Sequence, residues 1–239
     1  MRILDRLLTR RQMACHAYSM PMLLAAALCA NPPPLPALAV MAEKVDTETG
    51  KLILTNPPTI DVIAAQPKVT SRCYLDISIG GIAAGRIEVE LFGEVAPKAA
   101  ENFRVLCTGE KGFGYAGSSF YKVLAGLTVQ GGDVDGKGKG RSIYGPTFAH
   151  DGYDIIHNKA GLVSMVNSGV GGSSGESDSR FLIQPNDDAG YLDGRYEAFG
   201  LVTKGLDIVR RIDAVRVAGT KSAPVSENRV MIDAAGELL

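Results

Sequence analysis

From Cys73 the chain alternates: Cys73, Leu75, Ile77 and Ile79 are apolar, while Tyr74, Asp76 and Ser78 between them carry polar groups. After Gly80-Gly81 the same period returns, with Ile87, Val89 and Leu91 set against Arg86, Glu88 and Glu90. Period two on both sides of a glycine turn predicts an antiparallel hairpin with one buried face. The period then lengthens. Ala99, Phe103, Leu106 and Cys107 recur at helical spacing behind Pro97, which suits a first helical turn, and Gly109 is placed to stop the helix. A second helical stripe, Ile208, Val209, Ile212 and Val215, starts after Gly205. Short apolar runs separated by glycine-rich loops at 136–140 and 169–175 fill the interval between the helices. Together these patterns predict a mainly β fold, a closed antiparallel barrel capped by two α-helices, over 72–239. Helices are too few for a doubly wound α/β sheet.

The chain ahead of the barrel has different physics. All 28 glycines lie at or after Gly50, whereas eight of the 12 prolines lie at or before Pro67. Residues 1–42 carry four arginines and one acid, Asp5. Arg10-Arg11 precedes a weakly apolar stretch over 13–30, Asn31-Pro32-Pro33-Pro34 ends it, and Ala37-Leu38-Ala39 supplies a small-x-small cleavage pattern. This order resembles a twin-arginine export signal, an uncleaved anchor or a plain tail being the alternatives. The stretch is too interrupted for a good membrane helix, so no stable membrane insertion is expected after processing. Residues 43–71 read as a polar extension. Ile60-Asp61-Val62-Ile63 allows a short strand, but Pro57, Pro58 and Pro67 around it favour an extended tether.

Charge and cysteine usage narrow the function classes. With 25 basic and 26 acidic residues the net charge is −1, and without residues 1–42 it becomes −4. That balance argues against a nucleic-acid binder working by phosphate neutralisation. Cys73 and Cys107 are the cysteines outside 1–42, and their spacing does not require a disulfide. With no CxxC, and only His150 and His157 outside that segment, a Cys/His metal site is not expected, nor is any cofactor.

Several chemical motifs fail on spacing. Gly136-Lys137-Gly138-Lys139-Gly140-Arg141 lacks the phosphate-loop pattern and runs into a β-prone Ser142-Ile143-Tyr144 rather than a helix. Asp133/Asp135 and Asp187-Asp188 sit in turn-like contexts, where Asp is a common turn former. Ser164, in Leu162-Val163-Ser164-Met165-Val166, is not a nucleophile elbow.

Longer strings carry more. Pro97-Lys98-Ala99-Ala100-Glu101-Asn102-Phe103 leads into Thr108-Gly109-Glu110-Lys111-Gly112-Phe113-Gly114-Tyr115. Gln130-Gly131-Gly132-Asp133, Ser142-Ile143-Tyr144-Gly145, Gly161 to Asn167, Leu192-Asp193-Gly194 and Phe199-Gly200 follow in order. This series resembles the cyclophilins, peptidyl-prolyl cis-trans isomerases built on an eight-stranded barrel with two helices. The likeness covers about 72–238, and the long 109–117 loop is similar to the eukaryotic-type branch.

The resemblance implies a set of site residues. The family's catalytic Arg follows a His shortly before the QGGD string, and Tyr121-Lys122 stands there. The Phe and Met of the pocket floor fall on Leu127 and Thr128, and the Gln is kept as Gln130. The Ala-Asn-Ala strand that faces the peptide becomes Val166-Asn167-Ser168. The Gln and Phe after the glycine loop become Arg180 and Leu182, and the Trp and Leu before the Asp-Gly turn become Tyr191 and Leu192. Tyr196 stands for the His beyond that turn. Lys122, Gln130 and Asn167 are thereby the implied catalytic residues, with the others binding substrate and Arg180 adding a second cation. The resemblance implies proline-containing protein segments as partners, a monomer, and weakened catalysis because so many of these positions are replaced. A catalytically silent proline-binding module is the alternative. A domain of this branch behind a twin-arginine signal implies the chloroplast thylakoid lumen, with bacterial export or secretion as the alternative.

Overall fold

The computed structural model describes residues 43–45, 52–54, 59–168, 175–219 and 222–238. The expected targeting segment, 1–42, lies outside them. Two short strands, β1 (Glu43–Val45) and β2 (Leu52–Leu54), pair with each other. The predicted hairpin is β3 (Ser71–Ile79) and β4 (Ile82–Leu91), with Cys73, Leu75, Ile77, Ile87, Val89 and Leu91 buried. At the turn, Gly80 has φ 59° and a Cβ there would stand 2.5 Å from the Glu227 carbonyl oxygen, so only glycine fits.

Among the described residues three α-helices are present rather than two. The additional one, α1 (Val62–Ala65), falls where a strand or tether was expected. Asp61 explains it: its carboxylate accepts from the Ile63 and Ala64 amides at 2.8 and 3.3 Å, an N-cap that closes one turn. Helix α2 (Pro97–Thr108) has Pro at its start and ends at Gly109 in the left-handed region, burying Ala99, Phe103 and Leu106. Helix α3 (Leu206–Asp213) buries Ile208, Val209 and Ile212, with Val215 partly buried just past its end.

The remaining strands are β5 (Ser119–Phe120), β6 (Lys122–Leu124), β7 (Thr128–Gly131), β8 (Phe148–Ala149), β9 (Leu162–Asn167), β10 (Glu176–Ile183), β11 (Ala198–Lys204), β12 (Val217–Ala218), β13 (Ala223–Pro224) and β14 (Val230–Leu238). The main sheet runs β5-β14-β3-β4-β11-β9-β10-β7-β6, nine strands in antiparallel order, with β8 added beside β10. Its two ends, β5 and β6, are consecutive in the chain and separated by Tyr121 alone. Counted as one strand broken at Tyr121, they close an eight-stranded barrel, the architecture that the pattern and the resemblance implied.

Alternation sorts side chains into the barrel or out of it. Val123, Val129, Val163, Met165, Phe181 and Ile183 join the main core. Phe103 of α2 stacks against Tyr115, Phe181 and Phe199 with ring centroids 5.1–5.3 Å apart. Gly132 of the QGGD string is pressed into this cluster: a Cβ would lie 2.6 Å from the Ser179 carbonyl oxygen and 2.8 Å from the Phe181 ring. Cys73 and Cys107 are free buried thiols in the same core, and burial, with a hydrogen bond to Cys73, pushes the Cys107 thiol up.

Part of the presumed tether is docked. Thr59 and Ile60 donate to the Asp154 carbonyl at 3.0 and 2.8 Å, and Ile156 donates back to Ile60 at 2.9 Å. Val62 is buried with Phe92, Ile155, Leu162 and Ala198. Apolar residues at 60, 62 and 69 outweigh the prolines around them, because the barrel end offers an apolar seat.

Candidate functional site

The outward-facing positions of four neighbouring strands form one row. Lys122 of β6 is the cross-strand partner of Gln130 on β7; Gln130 partners Leu182 on β10, and Leu182 partners Ser164 on β9. Cross-strand partners share a face and touch, so this register alone places a cation, an amide and an apolar side chain side by side. Thr128, Arg180 and Val166 lie two residues away on the same face.

The row divides into three parts. At the polar end, Lys122 is half-buried and makes no ion pair with any described residue. Gln130 is buried, with its Nε2 3.5 Å from the Thr128 hydroxyl, and the Tyr121 hydroxyl lies 3.3 Å from Gln130 Oε1. Burial holds the Tyr121 hydroxyl in its protonated, donating form.

The apolar part is a separate small cluster of Leu182, Ala189 and Leu192, flanked by Val166 and Tyr196. Leu182 and Leu192 are 1% and 3% exposed. Leu127 and Tyr191, at 47% and 48%, stand at its rim, where the Tyr191 hydroxyl donates to the Leu127 carbonyl at 2.9 Å. These two rim residues are thus tied across a gap of 64 positions in the chain.

Beyond Gln130 the row ends in an ion pair. Arg180 grips Asp178 through Nε at 3.0 Å and Nη2 at 2.7 Å, and donates from Nη1 to the Gly138 carbonyl at 3.0 Å. Burial pushes the Asp178 carboxyl up, and the Arg180 hydrogen bonds offset part of that rise. The guanidinium is therefore neutralised by Asp178 and also meets the Tyr121 hydroxyl, and among the described residues Lys122 is the row's unpaired cation. Arg180 and Ser168 also line a neighbouring groove of about 430 Å³ with Gly138, Gly140, Pro146 and Thr147.

Asn167 points elsewhere than its neighbours on the strand. Its side-chain amide donates to the Arg195 carbonyl at 2.6 Å, tying β9 to the turn that follows Leu192. The structure thus brings together Tyr121, Lys122, Thr128 and Gln130, and separately Val166, Leu182, Leu192 and Tyr196. Arg180 meets Tyr121 and also lines the side groove with Ser168, and Leu127 and Tyr191 stand on the rim.

The model of the family described as Cyclophilin type peptidyl-prolyl cis-trans isomerase/CLD matches residues 74–236. The chain belongs to the cyclophilin family. Its barrel is accordingly a peptidyl-prolyl cis-trans isomerase domain, of a family that binds proline-containing peptides. The cyclophilin strings also acquire physical roles. Asn102 of the α2 string is buried, donating to the Asp178 carbonyl at 2.9 Å and accepting from the Ile143 amide at 3.0 Å. Ser142-Ile143-Tyr144 is consequently a tight turn bridging to Gly145, not a strand.

The motifs set aside on spacing are structural in this cyclophilin. The 136–140 glycine loop wraps around Asp133, whose carboxylate accepts from the Gly138 and Gly140 amides at 2.7 and 3.3 Å. Asp187 accepts from the Ala160 amide at 2.8 Å. Among the described residues, no group of three or more His, Cys, Asp or Glu could hold a metal ion.

One constellation was not legible in the sequence. His157 Nδ1 meets Asp193 Oδ1 at 2.9 Å and its Nε2 meets Ser164 Oγ at 2.8 Å. This is the connectivity of a nucleophilic triad, but Ser164 and His157 are fully enclosed, so the hydroxyl cannot meet a substrate. The partners lie 36 and seven residues from His157, and no local signal joins them.

Proposed function

We propose that this cyclophilin is a weak prolyl isomerase in which Lys122 supplies the catalytic cation. The observation that carries the reading is the row itself: Lys122 beside Gln130, and Gln130 beside Leu182 of the Leu182–Leu192 apolar cluster. An X-Pro bond has cis and trans forms within about 0.5–1 kcal/mol, separated by a resonance barrier of roughly 18–20 kcal/mol. Lowering that barrier requires no nucleophile. The pocket grips the proline ring, Gln130 and the Val166-Asn167-Ser168 strand fix the flanking backbone, and the cation faces the proline nitrogen. A lone pair localised on that nitrogen is favoured by the cation, and so is the twisted transition state.

Weakness follows from the residue types. An ammonium is a compact, strongly hydrated charge on a flexible stem and lacks the planar fork of a guanidinium. Leucines at 127 and 182 retain apolar area but offer no aromatic wall. In a protease-coupled assay on a short Xaa-Pro peptide, the wild type turns over slowly, Lys122→Ala loses that rate and Lys122→Arg keeps or raises it. Equal rates in all three proteins would remove Lys122 from the mechanism.

A proline-binding module with negligible turnover is the second reading, favoured by the near closure of Leu182 and Leu192. Absence of any rate above the thermal background, with peptide binding retained, would select it. We place the mature protein, as a monomer, in the thylakoid lumen, on the order of paired arginines, apolar stretch and Ala-x-Ala in 1–42. The N-terminal sequence of the protein recovered from isolated thylakoids tests this, and recovery elsewhere would overturn it.

A further inference from the structure

The pocket's outer wall is the stretch 189–196, which contains the short 3-10 turn Gly190–Leu192 and carries Ala189, Leu192 and Tyr196. A wall of this kind has little sheet pairing to hold it, so its position depends on side-chain ties. Besides the Tyr191–Leu127 tie at the rim, three ties bind it, and two of them converge on His157. The Ala189 amide donates to the His157 carbonyl at 2.7 Å. Asp193 Oδ1 accepts from the His157 backbone amide at 2.8 Å and faces His157 Nδ1 at 2.9 Å. The third is the Asn167 amide on the Arg195 carbonyl.

On its far side the same imidazole reaches Ser164 Oγ at 2.8 Å, and Ser164 is the cross-strand partner of Leu182, the pocket floor. One ring therefore spans from floor strand to wall. With Asp193 accepting at Nδ1, that nitrogen carries a proton, and the Ser164 hydroxyl serves whichever role Nε2 leaves open. His157 is completely buried, so water cannot substitute for any of these bonds.

Its own backbone is steadied from outside the stretch matched by the family model. Ile155 pairs in parallel with Ile60 of the N-terminal extension, which exchanges three hydrogen bonds with residues 154 and 156. We propose that His157 is a positioning residue that sets the distance between the floor and wall of the proline pocket, and that the docked segment 59–65 holds His157 in place for this task. The inference rests on the isomerase pocket proposed above.

The experiment uses the full chain and separates KM from kcat on an Xaa-Pro peptide. His157→Gln raises KM about tenfold with kcat within about twofold of wild type, because the wall grips the ring equally in ground and transition state. Ile60→Asp moves KM in the same direction by about threefold, acting at one remove. A merely structural role would leave fewer folded molecules, lowering apparent kcat at unchanged KM. That pattern, or unchanged constants in folded His157→Gln, overturns the proposal. Ser164→Ala, which removes one bond only, replaces His157→Gln should the latter not fold, and carries the same two outcomes. If wild type shows no turnover, the isomerase reading fails by itself, and the peptide Kd then reads the clamp. About tenfold weaker binding by His157→Gln supports it; equal affinities, or no binding by wild type, overturn it.

Discussion

Strand β10 carries two adjacent residues with opposite tasks. Phe181 points into the barrel and meets Phe103, Tyr115 and Phe120 at 5.2–5.8 Å, while Leu182 points outward into the apolar cluster proposed to grip proline. Inside, many apolar neighbours share the burden of holding each side chain. Outside, several site residues are held by one or two polar ties from distant segments: Arg180 by the Gly138 carbonyl, Tyr191 by the Leu127 carbonyl, and the Leu192 wall by His157 and Asn167. The inner face therefore governs stability while the proposed site assigns binding to the outer face, although both come from one alternating stretch.

Phe181→Ala should test this division most severely. Removing a fully buried ring costs about 3–5 kcal/mol, read as a lower midpoint in chemical denaturation. Turnover per folded molecule should remain close to wild type; a specific loss of kcat would show that the two faces are not separable. Lys122→Ala should do the reverse. Loss of a single electrostatic stabiliser lowers kcat/KM by about a hundredfold, and a change on a half-exposed side chain moves stability by no more than about 0.5 kcal/mol. A large fall in the denaturation midpoint would place Lys122 among the structural residues.

Glu197 sits at the junction of the faces. Its carbonyl accepts from Met165 on β9, and its Oε1 accepts from the Asp151 and Gly152 amides at 2.7 and 3.2 Å. Burial pushes its carboxyl from 4.5 up to about 7, against the lowering effect of those amides, while nearby Asp151 adds to the rise and Lys98 opposes it. A carboxyl with a raised folded-state pKa binds its proton more tightly in the native state. Stability from this group is therefore full below about pH 4.5 and is lost as pH rises to about 7. Glu197→Gln should flatten the curve over that window and stabilise the protein by about 2–3 kcal/mol at pH 8. Parallel denaturation curves for both proteins from pH 5 to 8 would contradict this assignment.

The smallest effect is expected at the rim. Tyr191→Phe deletes one partly exposed hydrogen bond, and should lower stability by about 0.5–1.5 kcal/mol at most while shifting KM by about twofold or less. A shift beyond tenfold would make the rim, rather than the floor, the principal grip on substrate.

Much of this was legible residue by residue. The hairpin, α2 and α3 are set by contacts one to four positions away, which periodicity reports directly. The Asp178–Arg180 pair was also within reach, since residues two apart on a strand share a face; the expected second cation at Arg180 is present beside that carboxylate. Helix α1 was missed because flanking prolines suggested a tether, while the Asp61 cap and the apolar seat for Val62 argued otherwise.

Local order along the chain was enough for the alternation of inside and outside, for the presence of α2 and α3 and, through the ordered strings, for the cyclophilin family. Each of these depends on neighbours along the chain. Only the tertiary arrangement shows that the sheet closes at Tyr121, that among the described residues Lys122 rather than Arg180 keeps an unpaired charge, and that His157 joins Asp193 to Ser164. Those outcomes depend on which distant residues become neighbours in space, and a hydrogen bond formed across 36 positions leaves no periodic trace in the chain.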